Sequence, residues 1–182
     1  MAKQVFEIVL VLVVVLFFSQ GNANITKDMA LIESVCKKTH DFKLCVSTLI
    51  SNPHSFNSTD VKGLARIMIG IIQVKTDGII ATIDRMSKNE SDPLIRRCFN
   101  DDCFVEYDKG TELLQQAIED LESGSSGQAI TDVHWAWENA ETCQDCFVEL
   151  KRKSPVTAIN SYFGALCNIA EDIMSILLHN LK

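Results

Sequence analysis

Residues 60–86 read DVKGLARIMIGIIQVKTDGIIATIDRM and contain a helical pattern that sets the fold of this 182-residue chain. Apolar residues recur every three or four positions and share one stripe: Leu64, Met68, Ile71, Ile79, Ile83 and Met86. This spacing is typical of an α-helix with one face in a core. Either Thr59 or Asp60 can cap the first turn. The stretch therefore predicts a long amphipathic helix over Val61–Met86.

The same spacing predicts three further long helices. The first is capped by Asp92, has a proline at its first position and runs to about Ser123. The other two cover about Ala129–Lys153 and Val156–Leu181. Short loops between long helices imply antiparallel neighbours. We therefore expect an all-α fold with an up-down-up-down four-helix bundle over residues 59–182.

Two shorter helices, roughly Met29–Lys38 and Phe42–Ile50, are predicted before the bundle and form a helical hairpin within residues 24–55. Each is too short to be stable alone, because isolated helices of ~12–15 residues are already marginal in water. Cys36 and Cys45 flank the turn between them. A disulfide between these cysteines would close the hairpin at its base.

Residues 1–23 have the pattern of a secretory signal peptide. Lys3 is followed by an apolar run from Ile8 to Phe18, and small residues precede Asn24. The apolar run is well short of the ~20 residues that a membrane-spanning helix needs. We expect a mature chain of residues 24–182 that is secreted and has no membrane anchor.

Charge and cysteine content narrow the function. The net charge of −7 argues against a nucleic-acid partner, since phosphate binding requires a basic face. The short run Lys151-Arg152-Lys153 is better explained as the last turn of a helix, where cations offset the helix dipole. Seven cysteines in an exported chain indicate a disulfide framework with one thiol left over.

Three N-x-[ST] sequons agree with the secretory route. They begin at Asn24, Asn57 and Asn89, and the last two fall in predicted loops. All three are candidate glycosylation sites.

Signatures of catalysis are missing from the sequence. The four histidines are scattered, and neither a His-Glu-x-x-His motif nor a Gly-x-Ser-x-Gly motif occurs. Cys143-x-x-Cys146 lacks the βαβ context of a redox pair and the second ligand pair of a structural zinc site. Asp101 and Asp102 are adjacent and would diverge on a helix. We expect no catalytic residues, no metal, no cofactor and no small-molecule substrate.

Two further features of the predicted helices call for an explanation. Gly70, Gly78 and Gly110 each weaken a helix by ~1 kcal/mol relative to alanine, which a close helix approach would explain. Trp135 and Trp137 lie two positions apart and diverge on one helix, so one can be core while the other faces outward. We favour packing for both tryptophans over an exposed binding anchor.

Four stretches are distinctive in combination. They read VCKKTHDFKLC at 35–45, CFVEYDKGTELLQQAIEDL at 103–121, ETCQDCF at 141–147 and SPVTAINSYFGALCNIA at 154–170. Together they resemble the plant invertase and pectin methylesterase inhibitor family over almost the whole mature chain. Its Cys-x-x-x-Tyr element is matched by Cys103 and Tyr107, and its Thr-Cys-x-Asp element by residues 142–145.

The resemblance implies a disulfide-stapled four-helix bundle with a helical hairpin. It also implies disulfides between Cys36 and Cys45 and between Cys103 and Cys143. Cys167 then corresponds to the unpaired, buried cysteine of the family.

Cys98 and Cys146 depart from the family pattern and are candidates for a third disulfide. Antiparallel helices joined at Cys103 and Cys143 would bring the two cysteines toward each other. On a regular helix, however, Cys98 lies ~140° around the axis from Cys103. The sequence is therefore compatible both with a Cys98–Cys146 disulfide and with two unpaired cysteines.

The resemblance also implies a protein partner. Family members form a stoichiometric complex with either an acid invertase or a pectin methylesterase, enzymes of the plant cell wall or vacuole. The hairpin and the DVKGLARIMIG stretch look more like the invertase-directed members, although their Pro-Lys-Phe segment is missing. For the esterase, Thr142 and Asp145 are the candidate contacts, with support of the disulfide and helix surface as their other explanation.

We therefore expect a secreted inhibitor in the apoplast, or in the vacuole, that leans toward acid invertase. Pectin methylesterase is the alternative target. A helical carrier of small lipids or a signalling protein is a more distant alternative, and a carrier would need an internal cavity.

Overall fold

A computed structural model of the protein describes residues 29–179. The predicted signal peptide and Asn24 lie outside these residues. The described part is helical, with three disulfides and no β-strand.

Seven α-helices follow one another along the described chain. Residues 29–36 are helical (α1). The others are α2 (Phe42–Ile50), α3 (Val61–Asn89), α4 (Pro93–Arg97), α5 (Phe104–Ser123), α6 (Ser126–Glu149) and α7 (Thr157–His179). A 3₁₀ helix (Pro53–Asn57) joins α2 to α3, and a π-helical segment (Cys98–Cys103) joins α4 to α5.

Aspartate side chains cap three of these helices. The carboxylates of Asp41, Asp60 and Asp92 accept hydrogen bonds from backbone N–H groups in the first turns of α2, α3 and α4. Such bonds satisfy donors that the helix itself leaves free. Of the two residues predicted to cap α3, Asp60 is therefore the cap. Gly124 ends α5 in the left-handed conformation, with φ of 89°.

The helix predicted from residue 93 to Ser123 is interrupted. The N–H of Phe104 bonds to the carbonyl of Phe99, five residues back, which is the hydrogen-bond pattern of a π-helix. The sequence predicted one continuous helix because i→i+5 bonding leaves no signature in apolar spacing.

The third long helix also differs from its prediction, because it ends before the basic triplet. Lys151 has a φ of 54°, and the helix ends at Glu149. Lys151, Arg152 and Lys153 therefore lie beyond the helix, and their interpretation as its last turn is wrong. The guanidinium of Arg152 instead lies 3.6 Å from the Asp92 carboxylate.

The four long helices pack around one core. α3 and α6 each contact both α5 and α7. The ammonium of Lys62, at the start of α3, donates to the carbonyl of Glu122 near the end of α5 at 2.9 Å. The amide of Asn160, early in α7, donates to the carbonyl of Ala140 on α6 at 2.9 Å. The largest fully buried side chains are Tyr107, Phe99, Phe147, Phe163, Ile32, Leu49, Leu64, Met68, Ile69, Ile72, Ile83 and Leu114.

By length and composition α7 is apolar enough to cross a membrane. Half of the most apolar part of this helix is buried, and it packs against α3 and α6. Its hydropathy therefore fits the core helix of a bundle, which has the same composition.

Close helix approach explains one of the three glycines considered above. A Cβ added at Gly110 would lie 3.6 Å from the Ala136 carbonyl oxygen, so α5 and α6 approach closely there. At Gly70 and Gly78 an added Cβ would meet nothing within 4 Å. The explanation by close approach is wrong for these two.

Candidate functional site

Three disulfides cross-link the helices that would carry a binding surface. Cys36 is joined to Cys45 across the turn between α1 and α2, with Cα atoms 5.5 Å apart. Cys103 is joined to Cys143, which links the start of α5 to α6, with Cα atoms 4.3 Å apart. These are the two pairs that the family resemblance implies.

The third disulfide joins Cys98 to Cys146, with Cα atoms 5.7 Å apart. The π-helical segment explains how it forms. Its wider turn brings residues five apart closer to one face than a regular α-helix does, and Cys98 and Cys103 both bond to α6. The objection from helix azimuth assumed a regular α-helix and fails for that reason.

The remaining sulfur chemistry of the described residues is structural. Cys167 is a buried free thiol, and burial raises its pKa far above the usual range. Cys143 and Cys146 belong to different disulfides. Asp102 lies close to the sulfurs of Cys98 and Cys146, but bridged sulfurs are not thiolates, the form that ligates metals.

A buried polar chain joins α5, α6 and α7. The Tyr107 hydroxyl donates to Asn160 Oδ1 at 2.8 Å, and the Asn160 amide donates to the Ala140 carbonyl. Tyr107 also meets Phe163 edge to face, with ring centroids 5.4 Å apart. Desolvation raises the pKa of Tyr107, so the phenol keeps its proton. The tyrosine of the family motif therefore orders the interior; sequence reasoning missed Asn160, a lone amide in an apolar run.

The outer face of α6 carries both candidate target contacts. Thr142 and Asp145 are exposed and lie on one helical stripe with Trp135, Glu138 and Glu149, since steps of three and four residues keep to one face. We call these five residues the α6 stripe. The Thr142 hydroxyl donates to the Glu138 carbonyl at 3.2 Å, which is a bond within the helix.

The two tryptophans have different environments. Trp137 is partly buried, and a Cβ added at Gly164 of α7 would overlap its indole. Trp135 is 54% exposed. The expectation that both tryptophans serve packing is therefore wrong for Trp135. Their spacing shows that the two side chains point in different directions, but it does not show which of them faces outward.

Acidic residues of α7 contact histidines from other elements. Asp172 Oδ2 accepts from the backbone N–H of His40 at 2.9 Å and lies 2.7 Å from its ring Nδ1, so the hairpin turn is tied to α7. The His134 ring lies 3.5 Å from the Glu171 carboxylate. Burial raises the pKa of Glu171, and the charge of His134 opposes that shift.

The two described sequons are exposed. Asn57 ends the 3₁₀ helix after α2. Asn89 is the last residue of α3, where its side-chain amide donates to the Arg85 carbonyl at 2.8 Å. Asn89 was expected in a loop and instead closes a helix.

Comparisons with known proteins agree with this architecture. Residues 30–173 match the family model described as plant invertase/pectin methylesterase inhibitor. A cell wall / vacuolar inhibitor of fructosidase from Arabidopsis thaliana is 30% identical over 148 residues, covering 80% of this chain and 81% of the relative. A pectinesterase inhibitor from Actinidia deliciosa is 30% identical over 138 residues, covering 75% and 74%.

Two further proteins show the same likeness. A putative invertase inhibitor from Platanus orientalis is 29% identical over 154 residues, covering 81% of this chain and 89% of the relative. The crystal structure of a mutant pectin methylesterase inhibitor from Arabidopsis superposes with a TM-score of 0.66 at 23% identity, covering 79% of this chain and 95% of that one. The shared fold and the match over most of the chain show that this protein belongs to the plant invertase/pectin methylesterase inhibitor family.

Proposed function

We propose that this protein is a secreted inhibitor that forms a one-to-one complex with a plant acid invertase and is not itself an enzyme. Relatives named as inhibitors of fructosidase and of invertase, matched over about four fifths of the chain, support the inhibitory role. We place the protein in the apoplast or vacuole, after removal of residues 1–23.

The frame that we propose for this role is an up-down-up-down four-helix bundle of α3, α5, α6 and α7, preceded by the hairpin of α1 and α2. The antiparallel contacts between successive long helices support this topology. A frame held by disulfides loses little conformational freedom on binding, so less of the interaction energy is spent on ordering.

The observation that carries the proposed inhibitory role, for either target enzyme, is the exposed α6 stripe. Trp135 offers a large apolar surface to solvent, and tryptophan is over-represented among residues that dominate binding energy at protein interfaces. Glu138 adds negative charge one turn from Trp135, and Asp145 and Glu149 continue it along the same face of α6. A target with a complementary basic rim would be attracted to this surface.

The lean toward invertase rests on the N-terminal half, where the hairpin and the DVKGLARIMIG stretch resemble the invertase-directed members. Pectin methylesterase is the second candidate. Thr142 and Asp145 favour it, because they match the Thr-Cys-x-Asp element of the family and both are exposed on the α6 stripe.

The test is a titration of the oxidised mature protein against an acid invertase and a pectin methylesterase between pH 4.5 and 7. Loss of invertase activity at one equivalent is the expected result. Loss of esterase activity alone would assign the other target, and full activity of both enzymes would refute the proposal.

Two variants locate the surface. Trp135→Ala should weaken inhibition by about thirtyfold or more, because loss of an interface anchor costs about 2 kcal/mol or more. Phe42→Ala removes an aromatic side chain of similar exposure from the hairpin. If Phe42→Ala weakens inhibition and Trp135→Ala does not, the contact lies on the hairpin and the α6 stripe is not the binding surface.

A further inference from the structure

An apolar groove of about 540 Å³ runs between the second half of α3 and the start of α7. Val74, Gly78 and Ile79 form one wall, and Ala158, Ile159 and Tyr162 form the other. Val74 is 70% exposed and Tyr162 is 42% exposed, so apolar surface is open to solvent on both sides. The volume lies within the range of ~300–1,000 Å³ that is usual for ligand pockets.

Gly78 keeps this groove open, and no close contact with a neighbouring helix requires a glycine at this position. A glycine in the middle of a helix costs stability relative to alanine. A Cβ added at Gly78 would meet nothing within 4 Å, so the fold would accept a larger residue. The space above Gly78 is the interior of the groove.

Lys75 supplies the charge at the edge of the groove. Among the described residues, its ammonium group has no ion-pair partner. The positions three and four residues away on α3 are Ile71, Ile72, Gly78 and Ile79, so no carboxylate on its own helix face neutralises it. An apolar groove with one unpaired cation complements a molecule with an apolar body and one negative charge.

Two further hollows of about 320 and 230 Å³ adjoin the groove toward α2. Lys75 lines all three spaces and therefore lies where they meet. A chain whose charged end lies beside Lys75 can extend from there along the groove past Gly78.

We propose that this groove binds the ionised form of a fatty acid, with the hydrocarbon chain over Gly78 and the carboxylate beside Lys75. The site is an open surface groove and not the internal cavity of a carrier. It lies away from the α6 stripe, because α3 and α6 occupy opposite sides of the core. Binding of the fatty acid is therefore compatible with inhibition of a target enzyme.

The test uses the oxidised mature protein at pH 7 and a dansylated fatty acid as the fluorescent probe. Unlabelled lauric acid should displace the probe more effectively than methyl laurate, which has the same chain and no charge. Gly78→Leu should weaken binding of lauric acid by about tenfold or more, because the leucine side chain takes the volume that the ligand would bury.

Two matched controls separate the groove from general effects. Gly127→Leu makes the same change on α6, where an added Cβ also meets nothing within 4 Å, and should bind like the parent. Lys75→Met should weaken lauric acid binding by about fivefold and leave methyl laurate unchanged. Lys153→Met, on the exposed loop before α7, should change neither.

Several outcomes would overturn the proposal. Equal loss in Gly127→Leu and Gly78→Leu would place the ligand elsewhere. Equal binding of the acid and its ester would remove the role of Lys75. A concentration-dependent dimer in sedimentation that Gly78→Leu abolishes would assign the groove to a second copy of the chain. Inhibition by the Gly78→Leu variant should match the parent, so failure of this proposal is distinct from failure of the proposed function.

Discussion

Removal of the Cys98–Cys146 disulfide should cost less stability than its sequence separation suggests. The two cysteines are 48 positions apart, and a lone cross-link closing a loop of that size would contribute about 4 kcal/mol through chain entropy. Cys103 and Cys143, however, already close a loop of separation 40 inside it.

With the inner disulfide intact, the outer one closes only a small ring. The ring contains the five steps from Cys98 to Cys103, the three from Cys143 to Cys146, and the bridges themselves. A ring of about ten residues corresponds to about 2.5–3 kcal/mol. Either disulfide removed alone should therefore cost about 2.5–3 kcal/mol, and removal of both should cost about 6.5–7 kcal/mol.

The assay is urea unfolding of Cys98→Ala/Cys146→Ala, of Cys103→Ala/Cys143→Ala and of the quadruple variant. Cys167→Ala measures the loss of one buried sulfur without a cross-link, and its cost is subtracted once for each cysteine removed. In either double variant the slope m, which is the change in the free energy of unfolding with urea concentration, should stay nearly the same, because the other disulfide still restrains the unfolded chain. A cost near 4 kcal/mol for each double variant, adding to about 8 for the quadruple variant, would refute the nested-ring reasoning.

Three further changes test the interior. Tyr107→Phe leaves Asn160 Oδ1 buried without its donor and should lower the free energy of unfolding by about 1–3 kcal/mol in urea. Tyr162→Phe removes an exposed hydroxyl and should cost almost nothing. Equal costs would contradict the stabilising role of the buried Tyr107–Asn160 hydrogen bond. Gly164→Ala should lower the unfolding midpoint through overlap with Trp137, while Gly70→Ala should add about 0.5–1 kcal/mol; opposite signs in the two variants are the expected result. Burial raises the folded-state pKa of Glu171 above its unfolded value, so the contribution of Glu171 to stability is favourable in acid and is lost as pH rises through the folded pKa. The free energy of unfolding of Glu171→Gln should therefore gain on that of the parent from pH 4 to pH 7. A difference that does not change with pH would contradict this.

The helices of this protein were accessible to sequence reasoning because their signals are local. The apolar stripe after Asp60, the capping aspartates and the prolines each act within a few residues, and the structure has helices where these signals stand. The family was recognisable for a related reason, since the cysteine spacing and the Thr-Cys-x-Asp element are linear patterns, and the comparisons confirm it.

The candidate surface was less accessible. Thr142 and Asp145 were named from a motif, and helical spacing alone places them on one face with Trp135. That this face of α6 is the one turned to solvent depends on how α6 packs against α5 and α7. Trp135 and Trp137 look alike in the sequence, and only the contact of Trp137 with Gly164 assigns one to the interior. The groove beside Gly78 was missed, because a gap between two helices has no pattern along either.

The linear pattern of residues is sufficient to show that the chain is helical, roughly where each helix lies, and to which family it belongs. The packed helices were needed to show that Cys98 reaches Cys146, that Trp135 faces solvent and that Gly78 lies under an open groove. Caps and helical periodicity act over one or two turns, and a short stretch of sequence therefore contains them in full. The azimuth of a side chain after a π-helical segment, and the space between helices, depend on all the packed elements together.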